Sequence, residues 1–496
     1  MRSSSIFIEG LNPRRRAYIF GAAAACAAAA GVLAQDLTAY FCVAIPGLFP
    51  LLIWLRAGAP GIPTLPAISG LFVLYYAAPL LRQDIAAYGP QNLIAAAATV
   101  GSFLIAASFA CMPFLRRRGR QAPMSAQSFV SNDQIVIVVF VGLACGIVYN
   151  LALISGNLAW MGAFASLLRP VVFTLSSVAC YLLGCARASG ALVGQRWTAA
   201  LLSLAVLVLL SLGNFFLISA IMNVLAAVFG YVITAKRIPW ILLGLAFAVV
   251  SILHAGKYEM RRTYWTPQSQ SLQESSVFQI PGMMVDWFTK GIAAIGSSSD
   301  REPDILERAS LLHMVLLVQR TTPGVIPHLE GETYALLPAM VVPRFLEPDK
   351  PVSQAGLNLL SVRYGLQTVE STLNTTIGWG LVAEAYANFG FAGVISVGAL
   401  FGAFCGFVMR LSTGAAPLSL PMFFAIATTL TLFNVEMDFS YLVVTLTQTM
   451  AAVLVLATLP HLLPGRRRQA RARASLELGA MDARYATRMA PDEPRA

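Results

Sequence analysis

A proline-rich segment, "ALLPAMVVPRFLEPDKPVS" (335–353), places two cations, Arg344 and Lys350, on a stiff stretch of backbone. Each proline fixes its own φ and biases the residue before it toward an extended conformation. The two cations therefore have little freedom left to lose when they bind a ligand. A guanidinium group can hold two phosphate oxygens at once, and an ammonium group supplies a point charge. The segment predicts either a clamp for an anionic lipid headgroup or a turn whose charges are merely solvated.

Other arginines of the region 255–387 are further candidates for binding a pyrophosphate group: Arg261, Arg262, Arg320 and Arg363. The first two belong to "GKYEMRRTYW" (256–265), in which basic and aromatic side chains are mixed. That mixture is also typical of interfacial anchors at the end of a membrane span. Both interpretations of this pair stay open.

Two further residues are candidates for a functional role, Glu384 and His313, of which His313 could act as a general base. Glu384 lies in "LNTTIGWGLVAEAYANFGFAGV" (373–394), close to the bilayer, where a carboxylate is costly and a function is the default interpretation. The alternative is a carboxylate held by hydrogen bonds at the interface. His313 lies on a helix of about three turns predicted from "ERASLLHMVLLVQRTTPG" (307–324), on the membrane surface or the bundle, and is either a base or a packed histidine.

The elements that must position these residues are membrane helices. Of the 496 residues, 57% are hydrophobic and 11% are charged, and several apolar runs reach about 20 residues, the length that crosses a bilayer. The sequence predicts an all-α polytopic membrane protein with about 12 transmembrane helices. The predicted spans are 17–34, 38–55, 66–81, 92–114, 134–154, 160–184, 197–212, 215–235, 239–254, 388–409, 417–435 and 441–463. The run Thr198 to Ala235 is too long for one crossing and is divided at "SLGN" (211–214).

Basic clusters at 14–16, 116–120 and 466–473 fall on one side of these spans, which the positive-inside rule assigns to the cytoplasm. Both termini are therefore predicted to be cytoplasmic. The basic tail contains no interleaved aromatic residues, so it favours anionic lipid and no nucleic acid. The predicted domains are a membrane bundle of about nine spans (1–254), a large periplasmic loop with the active site (255–387), a three-span bundle (388–463) and a basic cytoplasmic tail (464–496).

Within this loop, "EGETYALLPAMVVPRF" (330–345) is interrupted by Pro338 and Pro343. It predicts a short interfacial helix or a re-entrant turn, so the loop combines short amphipathic and re-entrant helices. Arg169 and Pro170, inside the sixth predicted span, indicate either a kink with an inward-facing cation or the end of a segment.

Two segments resemble the Wzy-type O-antigen (oligosaccharide repeat unit) polymerases of bacterial inner membranes. "LLPAMVVPRFLEPDKP" (336–351) is similar to the family's "iPR-x-L-(W)P-x-KP" segment, and "GWGLVAEAYANFGFAGVISVGALFG" (378–402) to its "G-x-x-(A)E-x-Y-x-NFG-x-x-G" segment. Glu347 departs from this pattern, because the family often has an aromatic residue there. The specific resemblance covers about seventy residues, and elsewhere only the number and layout of the spans agree.

The resemblance implies a membrane glycosyltransferase that polymerises undecaprenyl-pyrophosphate-linked oligosaccharides on the periplasmic face, without metal or cofactor. Arg344, Lys350 and the other arginines would stabilise the leaving pyrophosphate, Glu384 or His313 would act as the base, and Tyr386 would contact the substrate. The lipid bilayer and a chain-length regulator are the other expected partners. An O-antigen ligase and a flippase or transporter of lipid-linked sugars are the alternatives.

Overall fold

The computed structural model describes residues 13–115, 132–158, 161, 163–213, 217–235, 237, 239–264, 279–296, 310–343, 346–373, 376–415 and 419–462. The chain divides into two compact units, Met1–Val453 and Leu454–Ala496, and the description below concerns the first. Every regular element in the described ranges is helical.

The first half of the chain consists of long helices. They are α1 (Pro13–Gly31), α2 (Leu37–Arg56), α3 (Thr64–Phe72), α4 (Pro90–Leu115), α5 (Asn132–Ile154), α6 (Ala163–Ser189), α7 (Gly194–Leu212), α8 (Leu217–Ala235) and α9 (Trp240–Tyr264). After α3 the chain continues as a π-helical turn, Val73–Ala77, and a 3₁₀ turn, Ala78–Leu81; a further 3₁₀ turn is Asp84–Tyr88.

Short helices occupy the middle of the second half. The elements are α10 (Ile280–Gly296), α11 (Leu312–Thr321), α12 (Glu332–Ala335), α13 (Leu337–Val341), α14 (Ala355–Arg363), α15 (Val369–Thr372), α16 (Gly380–Ser412), α17 (Leu420–Thr431, followed by the 3₁₀ turn Leu432–Asn434) and α18 (Phe439–Leu462).

Among the described residues, nine helices are long and apolar enough to cross a membrane. They coincide with nine of the twelve predicted spans and include the two helices, α7 and α8, that were divided at 211–214. Near the other three predicted spans the structure has α1, which begins with three arginines, and two shorter apolar helices, Leu420–Asn434 and Phe439–Leu454. The fold is that of a polytopic helical membrane protein, and the count of twelve spans stays a prediction.

The largest departure from the sequence prediction concerns α9 and α10. Helix α9 continues to Tyr264, past the predicted end at 254, and α10 was not predicted at all. The two helices pack closely: the Trp287 indole N–H donates to the Leu253 carbonyl (2.6 Å), and a Cβ at Gly291 would lie 2.1 Å from the carbonyl oxygen of Ile252. The charges of 257–262 are typical of a loop, but the helix continues through them: Met260 lies in one buried cluster with Met283, and the Tyr264 hydroxyl donates to Asp286 (3.3 Å).

Helices α4 and α16 form the centre of the bundle, because a series of glycines lets their backbones approach. Gly398, Gly402 and Gly406 recur every fourth residue along α16. A Cβ at Gly402 would lie 2.0 Å from the carbonyl oxygen of Ala107 on α4. Small residues at such spacing are typical of helix pairs in membranes, where close backbone packing replaces the hydrophobic effect.

Helix α11 confirms the helix predicted within 307–324, and it packs on the bundle. Leu312, Val315 and Val318 are fully buried in the core that includes α4 and α16. The Gln319 amide donates to the Thr99 hydroxyl of α4 (2.7 Å). Of the two predicted placements, the described contacts fit packing against the bundle.

The segment 330–343 forms two short helices, and its predicted placement as an interfacial helix or a re-entrant turn stays a prediction. Helices α12 and α13 meet at Leu336, with Pro338 in the first turn of α13. The helix ends at Val341, because Val342, which precedes Pro343, has an extended ψ of 132°.

Candidate functional site

The side chain of Glu384 joins three elements. It lies in the second turn of α16 and is fully buried. Its Oε1 accepts a hydrogen bond from the Thr333 hydroxyl of α12 (2.8 Å), and its Oε2 accepts one from the backbone N–H of Phe439 at the start of α18 (2.7 Å). Both carboxylate oxygens therefore accept hydrogen bonds from donors of other elements, and the choice between a catalytic and a structural role stays a prediction.

A break in α16 opens the helix to further contacts. Gly390 has φ 62° and ψ −152°, a conformation that strongly favours glycine. Just before this break, the carbonyls of Ala387 and Asn388 accept hydrogen bonds from the backbone N–H groups of Leu329 (3.0 Å) and Glu330 (3.1 Å). The segment before α12 is thus held against α16 by main-chain hydrogen bonds.

The Asn388 side chain completes this network. Its amide nitrogen donates to the Thr333 hydroxyl and to the Glu384 carbonyl, both at 2.9 Å, and its oxygen accepts from the backbone N–H of Gly331 (3.1 Å). The Thr333 hydroxyl therefore accepts from Asn388 while it donates to Glu384. We call Thr333, Glu384, Asn388 and Phe439 the latch.

A second buried carboxyl group, Asp438, lies beside the latch. Its Oδ1 caps α18 by accepting from the Tyr441 backbone N–H (2.9 Å), whereas its Oδ2 has no hydrogen-bond partner in the described part of the chain. Burial raises the pKa of Asp438 to about 6, against the opposing effect of the Tyr441 N–H. Gly356 leaves the space for Oδ2, because a Cβ there would lie 2.1 Å from it.

The sequence prediction missed Asp438 and its neighbour Glu436. Burial also raises the pKa of Glu436, and the nearby charge of Lys257 lowers it. The signal was present, since both acidic residues fall in the short link 436–440 between two predicted spans. Two acidic residues in so short a link are unusual in an apolar region. The link also lies on the side of the membrane predicted to carry the long loop, which makes both residues candidates for the site.

Tyr334 covers the two buried carboxyl groups. Its ring stacks on Phe389 (centroids 5.8 Å apart) and meets the edge of Phe439 (5.4 Å). Burial, followed by the charges of Glu384 and Asp438, raises the pKa of the Tyr334 hydroxyl, so it stays protonated. No cation of the described chain lies within ion-pair distance of Glu384 or Asp438, and the N-terminus of α18 supplies the compensating partial charge.

His313 lies in a different set of contacts. Its Nδ1 is 2.5 Å from the Ser310 hydroxyl, and its ring meets the edge of Tyr88 (centroids 5.4 Å apart). The described partners of Glu384 belong to α12 and α18. The structure thus provides each predicted base with its own environment, and the choice between them stays a prediction.

Two of the predicted pyrophosphate-binding cations, Lys350 and Arg363, form contacts with other residues of the chain. The Lys350 ammonium donates to the carbonyls of Met340 (2.6 Å) and Val342, at the C-terminal end of α13. Arg363 forms an ion pair with Glu332 (3.0 Å), with 44% of each side chain exposed.

The remaining predicted site residues are exposed, half-buried or outside the part of the chain that the structure describes. Arg320 is exposed in the last turn of α11. Tyr386 is half-buried, with its ring 6.4 Å from that of His328. Arg344 lies outside the described residues. Arg261 and Arg262 belong to the last turns of α9, and their side chains are likewise outside the description.

No group of three or more His, Cys, Asp or Glu side chains within the described ranges is arranged to hold a metal ion. The fold and the latch define a polytopic helical membrane protein with a buried polar network where short helices meet the bundle. Comparison of the chain with protein-family models, with curated proteins and with solved structures finds no match.

Proposed function

We propose that the chain is a Wzy-type polysaccharide polymerase that joins undecaprenyl-pyrophosphate-linked repeat units on the periplasmic face of a bacterial inner membrane. One observation carries the proposal. The family resemblance rests on two segments, 336–351 and 378–402, and Thr333, three residues before the first segment, is bound to Glu384 and Asn388 of the second. Residues that are fifty positions apart in the chain thus form one unit, as a shared site requires.

In the proposed reaction, a sugar hydroxyl of a new lipid-linked repeat unit attacks the anomeric carbon of the growing chain. The bond from that carbon to the pyrophosphate oxygen breaks, and undecaprenyl pyrophosphate leaves with the electron pair. The hydroxyl proton passes to a base, for which Glu384 and His313 are the candidates. Cationic side chains stabilise the charge on the leaving group, so the proposed transfer uses no metal.

The described conformation places a condition on Glu384. Both of its oxygens accept hydrogen bonds and its side chain is fully buried. For Glu384 to act as the base, the side chains that enclose it, Thr333 among them, must open a path for the substrate hydroxyl. His313 is half-buried and requires a smaller change.

The test is to reconstitute the purified protein with its native undecaprenyl-pyrophosphate repeat unit and follow glycan length on a gel. Elongation without added metal supports the proposal. If single repeats remain after incubation with the native substrate, the proposal is wrong. Deletion of the gene separates the alternatives in the cell: a polymerase leaves a single-repeat surface glycan, while loss of a ligase leaves no surface glycan. Transport of intact repeat units by the purified protein, without elongation, would identify a flippase instead.

A further inference from the structure

Helix α10 runs antiparallel to α9 in a fixed register. Gly291 of α10 packs against Ile252 of α9, since a Cβ at Gly291 would lie 2.1 Å from the Ile252 carbonyl oxygen. One turn further along α9, a Cβ at Gly256 would lie 3.0 Å from the carbonyl oxygen of Trp287. Each turn toward the end of α10 therefore lies level with a turn nearer the beginning of α9.

This register places the second half of α10 beside the apolar span of α9. The part of α9 that is long and apolar enough to cross a membrane is Trp240–Lys257. Ile252 lies five residues before the end of that span, and α10 continues for five residues after Gly291, to Gly296. At a rise of 1.5 Å per residue, the end of α10 lies about 15 Å past the level of Lys257, which is half of the hydrocarbon core of a bilayer.

The polar side chains in this part of α10 find partners within the two helices, as immersion in lipid requires. The Thr289 hydroxyl donates to the Asp286 carbonyl of its own helix (2.9 Å). The Lys290 ammonium pairs with the Asp286 carboxylate (2.9 Å), one turn toward the beginning of α10, and lies 5.9 Å from the centroid of the Tyr264 ring at the end of α9. The ammonium is thus directed away from the end of α10, as lysine side chains are near a membrane surface.

Three apolar side chains of α10 are left uncovered by the described part of the chain: Val285 (66% exposed), Phe288 (38%) and Ile292 (53%). Their spacing of three and four residues places them on one face of the helix, different from the face that packs Trp287 and Gly291 against α9. The neighbouring span of α9 is largely uncovered as well, with 11% of it buried. The two helices therefore leave apolar surface uncovered at the same level.

We propose that α10 is inserted into the bilayer beside α9, and that the face formed by Val285, Phe288 and Ile292 binds the acyl chains of lipids. At the depth of the α9 span an uncovered helix face contacts hydrocarbon, so three apolar side chains there avoid the cost of exposure to water. The inference does not depend on the proposed function. It divides the predicted loop 255–387, because residues 280–296 return to the membrane.

The experiment introduces photoreactive benzoylphenylalanine at single positions of the full chain, irradiates the membranes of the expressing cells and identifies the adducts by mass spectrometry. We expect phospholipid adducts at Phe288 and Ile292, with a yield comparable to that at Phe247 on the α9 span, which is 75% exposed. The matched control is Val369, which is 65% exposed but lies on α15 beside the exposed Glu370. Its yield of lipid adduct should be several-fold lower.

The identity of the adduct decides what covers the face. A crosslink from Phe288 and Ile292 to a second copy of the chain, or to another segment of the same chain, would overturn the proposal. A yield of lipid adduct no higher than at Val369 would overturn it too.

A second measurement does not depend on the crosslinker. Ile292→Asp should lower the amount of folded protein recovered from membranes roughly threefold or more, because a carboxylate in the hydrocarbon region is costly. Val369→Asp should leave the recovery at the wild-type level. Wild-type recovery of Ile292→Asp would show that α10 lies in water.

Discussion

Replacement of Glu384 separates a structural role from a catalytic one. Glu384→Ala removes two hydrogen bonds to a carboxylate, from the Thr333 hydroxyl and the Phe439 N–H. Each such bond contributes about 1.5–3 kcal/mol, so the loss is about 3–6 kcal/mol of unfolding free energy. Glu384→Gln keeps the volume and one acceptor, but it turns an NH₂ group toward the other donor. About half of that loss, roughly 1.5–3 kcal/mol, is expected for this variant.

The assay combines thermal unfolding of the purified protein in detergent with the glycan-length distribution in a deletion strain that carries each variant. If Glu384 acts only through the latch, the unfolding temperature and the chain length decline together, and Gln retains more of both than Ala. If Glu384 is the base, Glu384→Gln abolishes elongation, a larger effect than the loss of stability of this variant explains. Glu370→Ala is the matched control, because this exposed carboxylate lies on α15, away from the latch, and should leave both readouts unchanged.

An unchanged unfolding temperature in Glu384→Ala would refute the reasoning, since two buried donors cannot lose their acceptor without cost. A double-mutant cycle with Thr333→Val adds a second check. The two side chains share a hydrogen bond, so their effects should be less than additive by about 0.5–3 kcal/mol. Additive effects would show that the bond between them contributes nothing.

Three further perturbations test other parts of the fold. Gly402→Val should lower the yield and the unfolding temperature of the membrane-inserted protein, because a side chain there meets the backbone of α4; a well-folded Val variant, judged by gel filtration and melting, would contradict the close packing. Lys350→Met should lower the free energy of unfolding by about 1–3 kcal/mol, because two carbonyls lose their donor. Arg363→Gln breaks an exposed ion pair and should lower it by at most about 1 kcal/mol in the same melting assay. Burial raises the pKa of Asp438 from 3.8 to about 6, so the folded state holds that proton more tightly than the unfolded state, and its contribution to stability declines as pH rises from about 4 to about 6. Between these pH values the unfolding temperature should fall less in Asp438→Asn than in the wild-type protein. The same dependence of unfolding temperature on pH in both proteins would contradict the buried environment of Asp438.

Hydrophobic length and periodicity were sufficient to predict nine of the long apolar helices and α11. Both depend on properties local in sequence: an apolar run long enough to cross a bilayer, and apolar residues such as Leu312 and Val315 on one helical face. The prolines likewise predicted where 330–343 breaks, because Pro343 constrains its neighbour wherever the chain lies.

The latch could not be predicted in the same way, because it depends on contacts between distant segments. Glu384 was a candidate because a carboxylate near a bilayer is costly. Its hydrogen-bond partners, however, come from α12 and from the start of α18, which are distant in sequence. The break at Gly390 exposes the carbonyls that bind the segment before α12. The sequence of an apolar run does not show which of its glycines has a positive φ, so this break could not be predicted. Lys350 shows the same limit, since no local pattern reveals that its ammonium turns to the end of α13.

The positions of the charges restrict how the proposed reaction can proceed. Glu384 is fully buried, and its two oxygens accept hydrogen bonds from the Thr333 hydroxyl and the Phe439 N–H. Each carboxylate oxygen can accept a second hydrogen bond, so the obstacle for an attacking sugar hydroxyl is the enclosure of the carboxylate by Thr333 and its neighbours. Because Asn388 holds the same hydroxyl, release of Thr333 requires two hydrogen bonds to break together. On the proposed mechanism, the network around Thr333 therefore has to open to the substrate hydroxyl before Glu384 can take its proton.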